Sequence, residues 1–489
     1  MAKSNNRLVK RSVILNSFDY VAQIIAMFLV TPTIAKGLGL TLYGEWLLLM
    51  AVLGYLPLLE AGVSVAGTKY LSSALNTKDR AIFGRRLGAV RRLLGISGWI
   101  ALAVMLLGIA VSTWIVSIGN ASPDTAWVLA IFIPPTLLTF WLRDRLLVLR
   151  TYLRYEFIVA TTLFRTILQT LLVLVSLENT SSLIWLAAAH AVPQSLSFLL
   201  QHLLASRLLS KDSIKALKPS SEDIHELKSI SYHVFISQIS MSIAGRTEPF
   251  LATSLGGVGA VPLHAVARRF TGLLTDAFQT IFGSILTVSF SLSGVESKTE
   301  DSYRELQRTS QKVAYLAGFV CALLFCVGGP FIKIWLSADF LASWPLLCMM
   351  IPSLALRLAS SPISSFLLAR GEHRLMSNLS VSLSLLSMVL MVTFGLTHGI
   401  TGVFMGLASS EVLLFGGILP LCLTTRVGQS ISRFYATTIL APMLAGALGP
   451  FGVGWLAPQF LGPSYGHLAI FCVMAVLPTI PLGLYYIKK

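Results

Sequence analysis

The segment TPTIAKGLGLTLYG, residues 31–44, has a counterpart in EPFLATSLGGVGAV, residues 248–261. The two segments share a proline at the second position and a Leu-Gly step at the eighth and ninth positions. Each segment joins two apolar stretches through a glycine-rich turn. Duplicated halves of this kind are typical of many membrane transporters. The repeat therefore predicts two lobes of similar helical architecture.

The basic stretch that follows each repeat supports this duplication. GRRLGAVRRLLG from Gly84 resembles RELQRTSQKVAYLAG from Arg304, so the order helix, glycine-rich turn, helix, basic loop, helix occurs twice. Both copies start on the same side of the membrane. The repeat is therefore predicted to be parallel, with an axis along the membrane normal.

The composition places most of the chain in a lipid bilayer. Of the 489 residues, 55% are hydrophobic and only 12% are charged, whereas about a quarter of a soluble protein is charged. Apolar runs of roughly 20 residues, the length that spans a bilayer, recur throughout. We predict an all-α polytopic membrane protein with about fourteen transmembrane helices. The predicted spans are 13–35, 43–66, 93–118, 126–148, 156–177, 182–205, 231–254, 261–291, 313–337, 343–368, 376–397, 400–423, 435–457 and 466–487.

The distribution of basic residues predicts the orientation. Lysines and arginines concentrate in alternate connections, and on the opposite side only Lys36 and Lys333 lie near a helix end. Cytoplasmic loops retain such charge, so both termini are predicted to be cytoplasmic. The same asymmetry explains the net charge of +16 without nucleic acid as a partner.

The spans group into four predicted regions. These are an N-lobe of helices 1–6 (1–205), a cytoplasmic linker (206–229), a C-lobe of helices 7–12 (230–424) and a helix pair 13–14 (425–489). The linker is polar enough to contain a short amphipathic helix on the membrane surface. Residues 435–487 contain no Asp, Glu, Lys or Arg, so the last pair is expected to face lipid.

Charged residues inside the spans are the candidate functional groups. Each costs at least about 2.5 kcal/mol at the bilayer centre, so it needs a hydrated cavity or a partner. The basic residues are Arg165, Arg246, Arg268, Arg269 and Arg357, and the acidic residues are Asp19, Glu60, Glu248, Asp276 and Glu411.

The sequence GRTEPF, residues 245–250, brings several of these charges together. Helices 7 and 8 form a hairpin that turns near residues 256–260, which places Glu248 level with Arg268 and Arg269. We predict an ion pair between Glu248 and one of these arginines, which leaves Arg246 free. Along helix 8 a polar stripe follows helical spacing, as is typical of a cavity lining. Its members are His264, Arg268, Gly272, Thr275 and Gln279.

Two interpretations of these charges stay open. They either form a hydrated basic cavity for an anionic substrate or act as buried ion pairs that hold helices together. Leu29 and Thr31 occupy the positions aligned with Arg246 and Glu248, so the charges belong to the second lobe alone. Asp19, Glu60 and Glu411 are candidates for ion coupling or for structural pairing. The Arg143-Asp144-Arg145 sequence is interpreted as interfacial snorkelling or a local pair.

The motifs of ATP-driven and metal-dependent proteins are missing. The sequence has neither a GxxxxGK[ST] phosphate loop nor an HExxH zinc motif. We therefore predict a non-enzymatic transporter with no catalytic residues, metal or cofactor. It would be driven by a gradient of its substrate or of a coupling ion, H⁺ or Na⁺.

The segment GLGLTLYGEWLLLMAVLGYLPLLEAGVSVAGTKYLS, residues 37–72, together with the two lobes and the extra helix pair, resembles the Wzx-type polysaccharide (O-antigen) flippases. These belong to the multidrug/oligosaccharidyl-lipid/polysaccharide exporter superfamily. The resemblance covers nearly the whole chain as architecture, through the LYGEW turn at residues 42–46 and the EAGVSVAGTKYLS stretch at residues 60–72.

The resemblance implies an antiporter of the bacterial inner membrane that moves undecaprenyl-pyrophosphate-linked oligosaccharide outward for lipopolysaccharide biosynthesis. It implies a monomeric transport unit in contact with membrane lipids and associated with polysaccharide polymerase machinery. A basic cavity would hold the pyrophosphate and sugar, and a groove beside the last two helices would hold the prenyl tail. The alternatives are a cation-coupled drug exporter of the MATE type and a membrane scaffold with no transport cycle.

Overall fold

The protein is described by a computed structural model that covers residues 2–60, 62–77, 79–117, 123–179, 181–211, 214–279, 299–427, 430–462 and 464–488. Helices make up 92% of the structure, and these ranges contain no strand. The predicted all-α polytopic fold is therefore confirmed. The chain divides into two compact units, residues 1–239 and residues 240–489.

The first unit contains eight helices and the start of a ninth. They are α1 (Ala2–Tyr55), α2 (Val63–Thr77), α3 (Arg80–Ser117), α4 (Asp124–Ile131), α5 (Ile133–Trp141), α6 (Arg143–Thr151), α7 (Tyr155–Asn179), α8 (Leu183–Lys211) and α9 (Ser221–Gly256). A 3₁₀ turn at Leu56–Glu60 joins α1 to α2.

The second unit contains the rest of α9 and ten further helices in the described ranges. They are α10 (Ala260–Phe278), α11 (Thr299–Trp335), α12 (Ser343–Ala359), α13 (Ser361–Ala369), α14 (His373–Glu411), α15 (Leu419–Val427), α16 (Ile431–Phe434), α17 (Ala441–Leu456), α18 (Tyr465–Val476) and α19 (Thr479–Lys488). π-helical turns at Val412–Ile418 and Tyr435–Leu440 lead into α15 and α17.

Glycines in the left-handed region mark the turns of the repeat. Gly39 has φ 70° and divides α1 into two helices, and Gly257 has φ 76° between α9 and α10. Only glycine adopts such angles without steric cost. The second turn thus falls one residue after Gly256, the position that the sequence alignment pairs with Gly39. Gly399, with φ 62°, divides α14 in the same way.

Nine described segments are long and apolar enough to cross a membrane, or ten if the bent pair α18–α19 counts as one span. By this criterion the expected number of about fourteen is not confirmed. Two of the segments, Phe18–Leu75 and Arg374–Thr425, are 58 and 52 residues long and contain the Gly39 and Gly399 turns. Each is long enough for two crossings. Helices α9 and α10 are not among the nine, and both carry charged side chains inside predicted spans.

The linker packs closely against the first unit. The Leu217 N–H donates to the Gly84 carbonyl over 2.9 Å, and a Cβ at Gly88 would overlap the Leu217 carbonyl. Ser220 and Asp223 then form a reciprocal capping box at the start of α9. The described linker residues contain no separate surface helix, because the helical parts of the linker are the end of α8 and the first turns of α9.

Asp223 ties the start of α9 to helices α2 and α3. Burial alone would raise the pKa of the Asp223 carboxyl, but the Ser220 N–H and hydroxyl, the Tyr70 hydroxyl and the Arg85 guanidinium hold it below its ordinary value. Arg85 lies 3.9 Å from the Asp223 carboxylate, and Arg86 lies 3.8 Å from that of Glu226. The linker is thus held by charge as well as by apolar packing.

In the second unit, the C-terminal helices pack on α11. A Cβ at Gly318 of α11 would overlap the Met443 carbonyl, and one at Gly446 of α17 would overlap the Tyr315 carbonyl. The two backbones therefore approach closely through glycine. The outer face of α17 is apolar and open, with Trp455 83% exposed.

Candidate functional site

A buried carboxylate on α9 lies at the centre of a charged group in the second unit. Arg268 Nε lies 2.8 Å from Glu248 Oε2, and Arg268 Nη2 donates to Oε1 over 3.2 Å. His264 Nε2 lies 3.1 Å from the same Oε2. The expected ion pair between Glu248 and a helix α10 arginine is therefore present. The structure adds His264 as a second partner of Glu248.

The hairpin geometry explains why these three side chains meet. Gly257 reverses the chain between α9 and α10, so residues at similar distances from the turn lie side by side. His264 and Arg268 are four residues apart and therefore share a face of α10. Pro249 stands inside α9, and its carbonyl accepts from the Thr253 hydroxyl over 2.9 Å.

Two arginines beside this group are uncompensated. Arg246 and Arg269 are half-buried, and neither forms an ion pair or hydrogen bond with any residue that the structure describes. Farther along α10, Asp276 and Gln279 are both exposed. Residues 245–278 carry three arginines against two acidic residues, Glu248 and Asp276, so this hairpin has one excess positive charge.

Arg357 and Glu411 form a second buried group in this unit. Arg357 Nη1 lies 2.8 Å from Glu411 Oε1, and the Ser353 hydroxyl donates to Oε2 over 2.9 Å. The Arg357 guanidinium also lies 5.6 Å from the centre of the Phe415 ring. The sequence made Arg357 a candidate for the basic cavity and Glu411 a candidate for ion coupling or structural pairing. The structure pairs the two with each other.

In the first unit, Asp19 and Arg165 interact electrostatically. Asp19 Oδ2 accepts from Gln23 over 2.9 Å, whereas its Oδ1 has no hydrogen-bond partner among the described residues. His190 lies near Arg165, donates from Nδ1 to the Leu186 carbonyl over 2.9 Å and packs on a tryptophan ring. Asp19 and Arg165 are thus brought together.

Glu60 has a partner that the sequence did not indicate. Arg143 Nε lies 3.3 Å from Glu60 Oε1, and the Ser64 hydroxyl contacts Oε2. On the other side of α6, Asp144 is 1% exposed and binds Arg91 at 2.9 Å, with Arg145 at 3.7 Å. The Arg143-Asp144-Arg145 sequence therefore contains the expected local pair, between Asp144 and Arg145, and also connects α6 to Glu60 and to α3. In the sequence, the one indication of these contacts was the position of Asp144 between two arginines. That pattern identified neither Glu60 as the partner of Arg143 nor Arg91 as the partner of Asp144.

Metal binding has no candidate in the described ranges. Among these residues, no three His, Cys, Asp or Glu side chains come close enough to hold a metal ion. Several of the ionisable groups instead form arginine–carboxylate pairs.

Sequence comparison identifies no relative. No protein-family model matches the chain, and no curated protein matches it.

Structural comparison finds transporters. A structure of the lipid II flippase MurJ in an inward closed conformation aligns with a TM-score of 0.75 and 16% identity, over 97% of this chain and 99% of that chain. An inward-facing MATE-family multidrug resistance transporter of the MOP superfamily aligns with a TM-score of 0.64 and 16% identity, over 87% and 99%. A MOP-superfamily transporter from Pyrococcus furiosus, whose binding pocket is described as reversed in polarity, aligns with a TM-score of 0.57 and 16% identity, over 87% and 96%. The chain therefore has the fold of the MOP-superfamily transporters and flippases, a multi-pass membrane protein built from helices.

Proposed function

We propose that this protein is a Wzx-type flippase that moves an undecaprenyl-pyrophosphate-linked oligosaccharide from the inner to the outer leaflet of a bacterial inner membrane. It would serve the synthesis of O-antigen-like surface polysaccharide. Transport would follow alternating access with H⁺ or Na⁺ as coupling ion, in antiport. The observation that carries the proposal is the positive charge of Arg246 and Arg269 beside the Glu248 group, which no acidic side chain among the described residues pairs with.

The chemistry of a pyrophosphate fits this arrangement. Guanidinium groups bind phosphate oxygens through parallel charge-assisted hydrogen bonds. Arg268 is held in place by Glu248 over 2.8 Å, so it loses less conformational entropy when it binds a ligand. Arg246 has no such restraint among the described residues and is the candidate for direct phosphate contact.

The length of the structural alignments also supports a flippase. The MurJ alignment covers 97% of this chain, and the MATE alignments cover 87% or 88%. A transporter with twelve helices would lack a counterpart for two of the fourteen helices expected here. That would account for the smaller coverage in the MATE alignments. The exposed apolar face of α17 supports a role of these last helices beside a prenyl chain.

The alternative is a MATE-type cation-coupled drug exporter. Asp19 favours it, because a carboxylate with a free oxygen inside a predicted span is a candidate cation ligand. The resemblance in fold to MATE transporters is compatible with either function.

The test is complementation of a strain from which the gene has been deleted. We expect the deletion to stop surface polysaccharide and to accumulate its lipid-linked precursor on the cytoplasmic side. Wild-type protein should restore export, Arg246→Ala should reduce it at least about tenfold, and Arg246→Lys should restore part of it.

Arg207→Ala is the matched control, because Arg207 lies exposed near the end of α8. Membrane levels of each variant are measured on immunoblots. Wild-type export by both Arg246→Ala and Arg268→Ala would remove the cationic group from the mechanism. A deletion that sensitises cells to cationic drugs but leaves the glycan intact would favour the MATE-type exporter.

A further inference from the structure

The short helix α6 in the first unit carries three arginines that the proposed function does not use. Arg143 and Arg150 are seven residues apart, which places both on one face of the helix. Arg145 lies on another face, where Asp144 is shared between it and Arg91. Asp144 is therefore already occupied by two guanidinium groups and does not compensate Arg143 or Arg150.

Glu60 is the acidic group on that face. It accepts from the Ser64 hydroxyl and lies 3.3 Å from Arg143 Nε. Arg143 Nε also donates to the Ser64 oxygen over 3.2 Å. These contacts fix the Arg143 side chain through Nε, and neither of them uses its terminal Nη1 and Nη2 groups.

Arg150 is half-buried and has no ion pair or hydrogen bond within the described residues. Its electrostatic neighbours are Arg143, Tyr155 and Glu60. The two arginines supply two positive charges against the single carboxylate of Glu60. One positive charge therefore remains in a partly buried position, where an unpaired ion is costly.

The turn after α6 contains one residue in an unfavourable backbone conformation. Leu153 has φ 55°, the single described non-glycine residue with positive φ. The turn closes through the Leu153 N–H to the Arg150 carbonyl at 3.0 Å and the Arg154 N–H to the Leu149 carbonyl at 2.9 Å. Tyr155, the first residue of α7, directly follows this turn.

We propose that Arg143, Arg150 and Tyr155 form a second anion site, which binds a phosphate group of an anionic lipid headgroup or of a soluble pyrophosphate. Two guanidinium groups and a phenol supply donors for several phosphate oxygens, and Glu60 positions Arg143. The site belongs to the first unit alone and does not depend on the proposed flippase function.

The test uses the full-length protein with two probes. In one arm, sodium pyrophosphate is titrated into protein in phosphatidylcholine nanodiscs. In the other, native mass spectrometry measures retention of phosphatidylglycerol against phosphatidylcholine. We expect wild-type protein to bind in at least one arm, with an affinity that falls as salt rises. Arg150→Gln should weaken that binding about tenfold, and Tyr155→Phe should weaken it less.

Arg154→Gln is the matched control, because Arg154 is exposed and already paired with Glu156 at 3.0 Å. Binding of pyrophosphate alone identifies a soluble or substrate phosphate, and retention of phosphatidylglycerol alone identifies a lipid headgroup. Thermal midpoints verify folding, and Tyr155→Phe remains informative if Arg150→Gln does not fold. Absence of wild-type binding in both arms, or equal loss in Arg150→Gln and Arg154→Gln, overturns the proposal.

Discussion

Neighbouring side chains on α9 have different environments. Glu248 is 4% exposed and is engaged by two partners, whereas Arg246, two residues earlier, is half-buried with no partner in the described ranges. A helical step of two residues turns them to nearly opposite sides of the helix. Glu248 therefore stabilises the hairpin, and Arg246 is available to a ligand.

We predict that Glu248→Gln destabilises the protein. The variant keeps one acceptor oxygen but removes the charge that compensates Arg268, so a loss of about 2 kcal/mol is expected. The measurement is the thermal unfolding midpoint of purified protein in detergent. Glu222→Gln, at an exposed position on the same helix, is the control and should leave the midpoint unchanged. Equal midpoints for both variants would show that the ion pair contributes nothing to stability.

Contacts between helices depend on a few glycines. At Gly446 the backbone of α17 meets the Tyr315 carbonyl of α11, whereas a Cβ at Gly452 on the same helix would contact nothing within 4 Å. The two glycines therefore have different roles although they lie on one helix. Gly446 allows α17 to pack closely on α11, whereas Gly452 takes no part in that contact.

We predict opposite effects for alanine at these two positions. Gly446→Ala forces α17 away from α11 and should cost about 1–3 kcal/mol of stability. Gly452→Ala only raises helix propensity and should be neutral or stabilising by up to about 1 kcal/mol. The thermal midpoints of the two variants in the same detergent are the measurement. A Gly446→Ala midpoint at or above wild type would contradict the close packing of α17 on α11.

The chain as a whole is a multi-pass membrane protein, and its loop charges predict the orientation. Glu222 lies in the predicted cytoplasmic linker, and Asp339 lies in a predicted outer connection; both are exposed. The five native cysteines are all unpaired. Serine replacement of these cysteines gives a background for accessibility measurements.

We predict that a membrane-impermeant maleimide labels Asp339→Cys in intact cells. Glu222→Cys should be labelled only after the membrane is permeabilised, because the bilayer blocks the reagent. Labelling of both variants after denaturation measures the total thiol. If Glu222→Cys reacts in intact cells, the assignment of both termini to the cytoplasm is wrong.

Local patterns were sufficient to predict much of this structure. Apolar run length indicated the helices, and the repeated Leu-Gly step indicated turns at Gly39 and next to Gly256. The Glu248–Arg268 pair was also predictable, because its members lie 20 residues apart within one hairpin. In a single hairpin, the distance of each residue from the turn determines which side chains meet.

Pairs between distant helices were not predictable in this way. Arg357 and Glu411 are 54 residues apart, and Arg91 and Asp144 are 53 residues apart. Helix α13 and the length of α14 separate the first pair along the chain, and α4 and α5 separate the second. The sequence identified Arg357 and Glu411 as charges within predicted spans but not as partners, and it gave no indication of the pair between Arg91 and Asp144.

The order of amino acids alone was enough to establish helices, membrane residence, the duplicated turn and the positions of the intramembrane charges. These follow from hydrophobicity and backbone conformation, which act over a few residues. Tertiary packing decided which of those charges are neutralised, since Coulomb interactions depend on distance in space. It paired Arg268 and Arg357 with carboxylates and left Arg246, Arg269 and Arg150 without a partner among the described residues, which makes these three the candidates for binding phosphate.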